Sequence, residues 1–185
     1  MGQYETEDGE VMLDYIDFLK SKMDIAQDSG FEISPDEVNP VMKPHARDAV
    51  VWAIKGGRRA LFEAFGLAKT SQQLEFCRIV IKHKGGKALI VLPLGVKQEF
   101  VHDAVELLGM AAPEYVRTMA EVEAAQGDIL LTNYERVRDG DIDPKYFTAT
   151  SLDEAAVLRS FGSKTYQTFL DKFKGVPYKL VATKS

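Results

Sequence analysis

The chain is poor in the residues that most often hold metals: one cysteine, Cys77, and three histidines in 185 residues. A single cysteine excludes an internal disulfide and any cysteine-built metal cluster, a pattern that fits a reducing, cytoplasmic setting. Cys77 falls among apolar helix residues, where packing is a plainer reading than a reactive thiol. His45, His83 and His102 share no metal-ligand spacing and read as structural or surface side chains. No run approaches the roughly 18 apolar residues that a membrane span needs. Residues 1–10 carry four carboxylates and no basic side chain, unlike a secretory leader. Positive charge is not in excess either. A net charge of −5 argues against tight, unaided binding to a nucleic-acid backbone, which rests on Lys and Arg neutralising phosphates. Arg58, Arg59, Lys82, Lys84 and Lys87 cluster in sequence; a solvated face is the plain reading, a phosphate contact the sharper one. Repeats and low-complexity tracts are absent. What is present, 45% hydrophobic and 28% charged residues, is the composition of one globular domain with a full core.

Apolar periodicity divides the chain. Val11, Met12, Tyr15, Ile16, Phe18, Leu19 and Met23 recur three and four apart, which predicts an N-terminal amphipathic helix over 5–27. Three prolines make 31–44 an extended connector, and residues 1–44 are read together as a helical extension. Ala49, Val50, Trp52, Ala53 and Ile54 predict a helix over 47–55, stopped by Gly56-Gly57. Residues 60–62 begin a strand, and a helix follows Lys69. The continuous apolar run 88–92 reads as a strand covered on both faces of a parallel sheet. A helix is expected over 96–108, a short strand at 115–117 and a brief helix at 121–125. Strands follow at 128–131 and 147–152, then a helix over 164–173 and a last strand at 178–183. Strands alternating with helices imply right-handed crossovers and a mainly parallel sheet with helices on both faces. The expected fold is therefore α/β, a three-layer αβα sandwich occupying 45–185.

The stretch 60–70 (ALFEAFGLAKT) carries the clearest chemistry. An apolar strand, a turn at Gly66 and a helix opened by Lys69-Thr70 is the layout of a phosphate-binding loop. There the backbone N–H groups and helix N-terminus face phosphate oxygens, the Lys reaches the terminal phosphates, and the Thr hydroxyl touches Mg²⁺. Asp153 and Glu154 end a predicted strand, the edge at which open α/β sheets bind ligands. In nucleotide hydrolases such an Asp holds Mg²⁺ and the adjacent Glu polarises water. An Asp-Glu pair alone is most often a solvated one. Trp52 and Phe65 are expected to pack against the sheet or line an adenine cleft, and Ser163 to cap the helix after it.

Together these motifs resemble the first RecA-like domain of superfamily-two helicases, in the DEAD/DEAH-box and chromatin-remodeller-like branch, with phage and mobile-element helicases as the nearest group. Residues 65–70 resemble motif I, 88–94 motif Ia, 129–136 motif Ib, 153–156 motif II and 180–183 the start of motif III. Pro44-His45 resembles the lead-in to the adenine-reading motif. The likeness runs from about residue 13 to the end of the chain. It implies a RecA-like (P-loop NTPase) fold, with Gly66, Ala68, Lys69, Thr70 and His45 at the nucleotide and Thr70 and Asp153 at Mg²⁺. Asp153 and Glu154 would be the catalytic pair. Leu94, Lys97, Thr132, Asn133 and Arg136 would face nucleic acid.

The departures from the family pattern share a direction. Ala46 stands where the adenine-reading Gln is expected, Ala68 replaces the Gly before Lys69, and Glu63 opens the loop where a small residue is usual. The Gly position commonly takes positive φ, which costs an L-residue about 1–2 kcal/mol. Past Ala182-Thr183 the sequence reads Lys184-Ser185 rather than continuing motif III, and nothing in it corresponds to a second RecA-like domain. The expectation is a degenerate, non-catalytic helicase lobe that needs no cofactor and acts by binding. It would be an inhibitor or decoy of a host nucleoprotein defence complex, such as a CRISPR effector. The alternative is the ATP- and Mg²⁺-binding first lobe of an ATP-dependent helicase whose second lobe is supplied elsewhere. An adaptor that tracks one nucleic-acid strand ranks third.

Overall fold

The computed structural model describes residues 28–63 and 68–184; the expected helix over 5–27, Phe65 and Gly66 lie outside them. Six strands form one sheet: β1 (Arg58–Glu63), β2 (Ala88–Leu92), β3 (Glu114–Tyr115), β4 (Ile129–Asn133), β5 (Ala149–Asp153) and β6 (Tyr178–Lys184). Every pairing is parallel, in the order β1-β6-β5-β2-β4-β3. The helices are α1 (Pro44–Gly56), α2 (Lys69–Lys84), α3 (Lys97–His102), α4 (Met119–Ala124), α5 (Tyr134–Arg138) and α6 (Ser163–Asp171).

The pleat of β2 sorts the core. Ala88, Ile90 and Leu92 join Val50, Ile54, Phe76, Val80 and Phe100, so α1, α2 and α3 cover one face. Leu89 and Val91 join Val122, Val137 and Phe169, so α4, α5 and α6 cover the other. All five β2 residues are buried because both faces are roofed, the reason the sequence shows no alternation there. This is the expected three-layer sandwich. Residues 28–43 run back along α1 and α2, with Val38 and Met42 in the first core. Backbone bonds from Ser29 to Gly56 and from Phe31 to Ile54 hold this segment, as does the Arg78 guanidinium on the Glu37 carbonyl. Gly57, at φ 74°, makes the turn from α1 into β1, a backbone state that glycine adopts without penalty.

Several expected boundaries move. The helix expected over 96–108 is in three parts: a 3₁₀ turn at Leu94–Val96, α3, and a wider π turn over Asp103–Leu107. The π turn shows in the bond from Leu108 N–H to the Asp103 carbonyl. β3 begins at Glu114, whose carboxylate accepts from the Gln126 and Gly127 N–H groups and fixes the loop before β4. Arg58 and Arg59 lie inside β1, not before it. Gly162, not Ser163, is the N-cap of α6, since the chain enters that helix at φ 80°. Trp52 is not in the core: it is 48% exposed, with the Arg59 guanidinium of β1 5.3 Å from its ring centre. Cys77 is fully buried in the first core, and burial pushes its thiol up to about 12. Four of the five clustered basic residues are engaged separately. Arg59 pairs with Asp28 at 2.6 Å, Lys82 lies 3.8 Å from Glu37, Lys84 stands over Phe31, and Lys87 donates to the Ala125 and Gly127 carbonyls.

Candidate nucleotide site

In a parallel sheet the C-terminal strand ends share one edge, and here they gather the chemistry-bearing residues. β1 precedes the candidate phosphate-loop stretch, and Ala68 stands at φ 62° and ψ 30°, the left-handed conformation that the motif demands of its glycine. Ala68 is the N-cap of the 16-residue α2. Alanine has no side-chain oxygen to cap with, so the first N–H groups and the positive end of the helix dipole stay available to an anion. Lys69 and Thr70 open that helix, half-buried and buried respectively.

β5 ends at Asp153. Its Oδ1 accepts from Gln73 Nε2 at 2.8 Å, and Gln73 Oε1 accepts from the Ser151 hydroxyl at 2.7 Å. The Tyr134 hydroxyl donates to the Asp153 backbone carbonyl. Burial raises the Asp153 carboxyl above its usual range, the Gln73 amide opposes that, Glu154 and Glu99 add to it, and Lys69 opposes it. Burial, and after it the Asp153 and Glu154 carboxylates, push the Tyr134 phenol upward, so it remains a neutral donor. The Thr70 hydroxyl donates to Glu99 Oε1 at 3.1 Å, tying the start of α2 to the first turn of α3. Lys69, Thr70, Glu99, Asp153 and Glu154 therefore interact as one cluster, one cation among carboxylates.

Glu154 also stands at positive φ, 52°. Among the described residues Ala68 and Glu154 are the non-glycine residues with positive φ, and they flank this cluster. Strained backbone of this kind costs on the order of 1–3 kcal/mol and persists where the surroundings impose it, commonly at binding sites. The donor set suits a magnesium–triphosphate: a helix N-terminus and an ammonium for phosphate, a hydroxyl and a partly buried carboxylate for the cation.

The remaining expected site residues lie elsewhere on the same rim. His45 is exposed in the first turn of α1, and the neighbouring Ala46 is fully buried. Leu94 is 55% exposed just beyond β2. Lys97 stands 5.0 Å over the Tyr115 ring and Arg117 lies 5.7 Å from it. The Tyr115 hydroxyl donates to Asn133 Oδ1 at 2.7 Å, Asn133 donates to Glu135, and Arg136 pairs with Asp141 at 3.1 Å. Thr132 is fully buried, its hydroxyl donating to the Val116 carbonyl just past β3. Sequence reasoning missed Gln73, Ser151, Glu99, Tyr134, Tyr115 and Arg117. The structure buries the polar run Thr70, Ser71, Gln72, Gln73 and Glu75 at the start of α2, which its polarity alone does not announce.

No family model matches the chain, and no curated protein matches it. Solved structures do. The UvsW helicase from bacteriophage T4 superposes with a TM-score of 0.64 at 14% identity, covering 76% of this chain and 51% of that one. A second T4 UvsW structure gives 0.67 at 15%, covering 84% and 35%. The Sulfolobus solfataricus SWI2/SNF2 ATPase core in complex with double-stranded DNA gives 0.64 at 17%, covering 83% and 34%. The fold is RecA-like, the fold it shares with these structures. The chain spans between about a third and a half of the length of these structures.

Proposed function

We propose that this RecA-like lobe binds a magnesium–nucleoside triphosphate at the edge formed by α2 and β5, as the first lobe of an ATP-dependent nucleic-acid motor. The observation that carries the reading is the convergence of Lys69 and Thr70 at the start of α2 with Asp153 at the end of β5, between two strained residues. Lys69 would neutralise phosphate charge, the α2 N-terminus would hold phosphate oxygens, and Thr70 and Asp153 would hold the cation, with Glu154 beside them. When bound, magnesium supplies charge neutralisation and polarisation at the terminal phosphate. A partner lobe completes the site in motors of this architecture, and a fluorescent ATP analogue tests the first half alone. Micromolar binding that needs Mg²⁺ and is lost in Lys69→Ala supports the proposal; absence of binding in the native protein and in Ala68→Gly removes it.

One observation favours a second reading, a lobe that docks on a partner without nucleotide. Ala68 carries a methyl where the family pattern has glycine, and the Thr70 hydroxyl is already engaged by Glu99. In that reading the protein is a binding protein, of the kind that inhibits or decoys a host nucleoprotein complex such as a CRISPR effector. Pull-down from host extract identifies the complex; nucleotide turnover by the isolated protein refutes this version.

A further inference from the structure

Gln73 sits one turn beyond Thr70, three residues on, so both side chains leave the same face of α2. It is fully buried and lies 80 residues from Asp153 in sequence. Its carboxamide spans two positions of β5: Ser151 donates to its oxygen and its nitrogen donates to Asp153. These contacts fix the amide in one orientation. Rotated by half a turn, it would set its carbonyl oxygen against a carboxylate and lose the bond. Packing alone does not call for this residue, because a buried amide carries a desolvation cost that an apolar side chain of the same length avoids. Around the same carboxylate stand Lys69 from α2, Glu99 from α3 and Glu154 from its own loop, and the Tyr134 hydroxyl from α5 donates to the Asp153 backbone carbonyl.

We infer that Gln73 is a positioning residue: its amide, locked by Ser151, holds the Asp153 carboxylate in the orientation that receives a divalent cation. The inference rests on the nucleotide-binding reading above and deepens it. Tying Oδ1 to α2 sets the carboxylate before any ligand arrives and couples it rigidly to the helix that carries Lys69 and Thr70. Partners that orient a metal ligand in this way typically account for about 10–100-fold in metal affinity.

The test titrates a fluorescent ATP analogue against native protein, Gln73→Met and Ser151→Ala, first in chelator and then at rising Mg²⁺. Gln73→Met is expected to need about tenfold more Mg²⁺ for half-maximal tightening, with metal-free nucleotide affinity changed by less than about twofold. Ser151→Ala, which unlocks the amide and leaves its bond to Asp153, shifts the Mg²⁺ requirement by about threefold in the same direction. An unchanged Mg²⁺ requirement in folded Gln73→Met overturns the inference, as does an equal loss with and without metal. Should Gln73→Met fail to fold, Ser151→Ala decides: an unshifted requirement overturns it. Failure of the native protein to bind nucleotide sinks the function reading instead. The positioning role is then read from the Gln73 side-chain amide resonances of the ligand-free protein. Slow solvent exchange that becomes fast in Asp153→Ala supports it, and fast exchange in the native protein overturns it.

Discussion

Replacing Ala68 by glycine isolates the energetic weight of the loop conformation. An L-residue in the left-handed region costs about 1–2 kcal/mol, which glycine does not incur. Two effects oppose the gain. The Ala68 methyl is half-buried against the first core, so removing it forfeits roughly 0.4 kcal/mol, half the worth of one buried CH₂. Glycine also frees the unfolded chain, at about 0.4–1 kcal/mol. The difference is a gain of about half a kcal/mol, near 1–2 °C in the unfolding midpoint for a domain of this size. Ala68→Val goes the other way, because a β-branched side chain at positive φ adds strain, about 2 kcal/mol or 4–8 °C. Thermal unfolding followed by circular dichroism measures both, and the fluorescent ATP analogue measures the accompanying gain in nucleotide affinity for Ala68→Gly. If Ala68→Gly loses more than about 1 kcal/mol while Ala68→Val is neutral, the residue is not held at positive φ and the loop argument fails.

Other perturbations follow from the same contacts. Phe76→Ala empties a fully buried site between α2 and the sheet and should cost about 3–5 kcal/mol, roughly 10 °C, in thermal unfolding. Asp153→Asn keeps an acceptor for Gln73 and removes a carboxylate that burial and its acidic neighbours disfavour. Because that carboxyl is raised in the folded state, its ionisation destabilises the fold above its titration and not below it. The variant is therefore expected to melt higher than the native protein at pH 7, with the gain disappearing on acidification below the ordinary Asp range near 3.8. His83 Nε2 lies 2.6 Å from Glu37 Oε2, and chiefly this bond lowers the Glu37 carboxyl below its usual 4.5. That contribution to holding the 35–38 turn is present above 4.5 and lost as pH falls through the lowered value. An NMR titration of the Glu37 carboxyl is expected to move up toward 4.5 in His83→Ala. Glu99→Gln, which weakens the hold on the Thr70 hydroxyl and removes one negative charge from the cluster, should tighten Mg²⁺–nucleotide binding; a looser complex contradicts the view that Glu99 competes for Thr70.

The layered fold was legible because hydrophobic periodicity reports burial directly. The unbroken apolar run of β2 marks a strand roofed on both sides, and the three- and four-residue spacing in α1 marks a helix with one covered face. Ala68 was legible for a different reason: the motif prescribes a backbone conformation, and the chain adopts it with the wrong residue for it. The rest was hidden where polar side chains do the burying. Gln73 and Ser151 look like ordinary solvated residues until α2 is laid against β5, because their bonds cross 78 residues of chain. Glu99 likewise needs α3 brought beside α2. The split of the 96–108 helix and the start of β3 depend on single hydrogen bonds, at Leu108 and Glu114, which leave no periodic trace. Thr132 shows the converse: a residue whose motif position faces outward in the family likeness spends its hydroxyl on the Val116 backbone carbonyl beside β3.

β6 lies between β1 and β5, so the strand feeding the phosphate loop and the strand ending in Asp153 never touch. Two strand spacings put them about 10 Å apart. Asp153 is in register with Ala182, whose small, buried side chain fills little of the interval. The middle strand thus acts as a fixed spacer: it pairs with both neighbours and holds their ends apart, while Gln73 ties α2 to the far one.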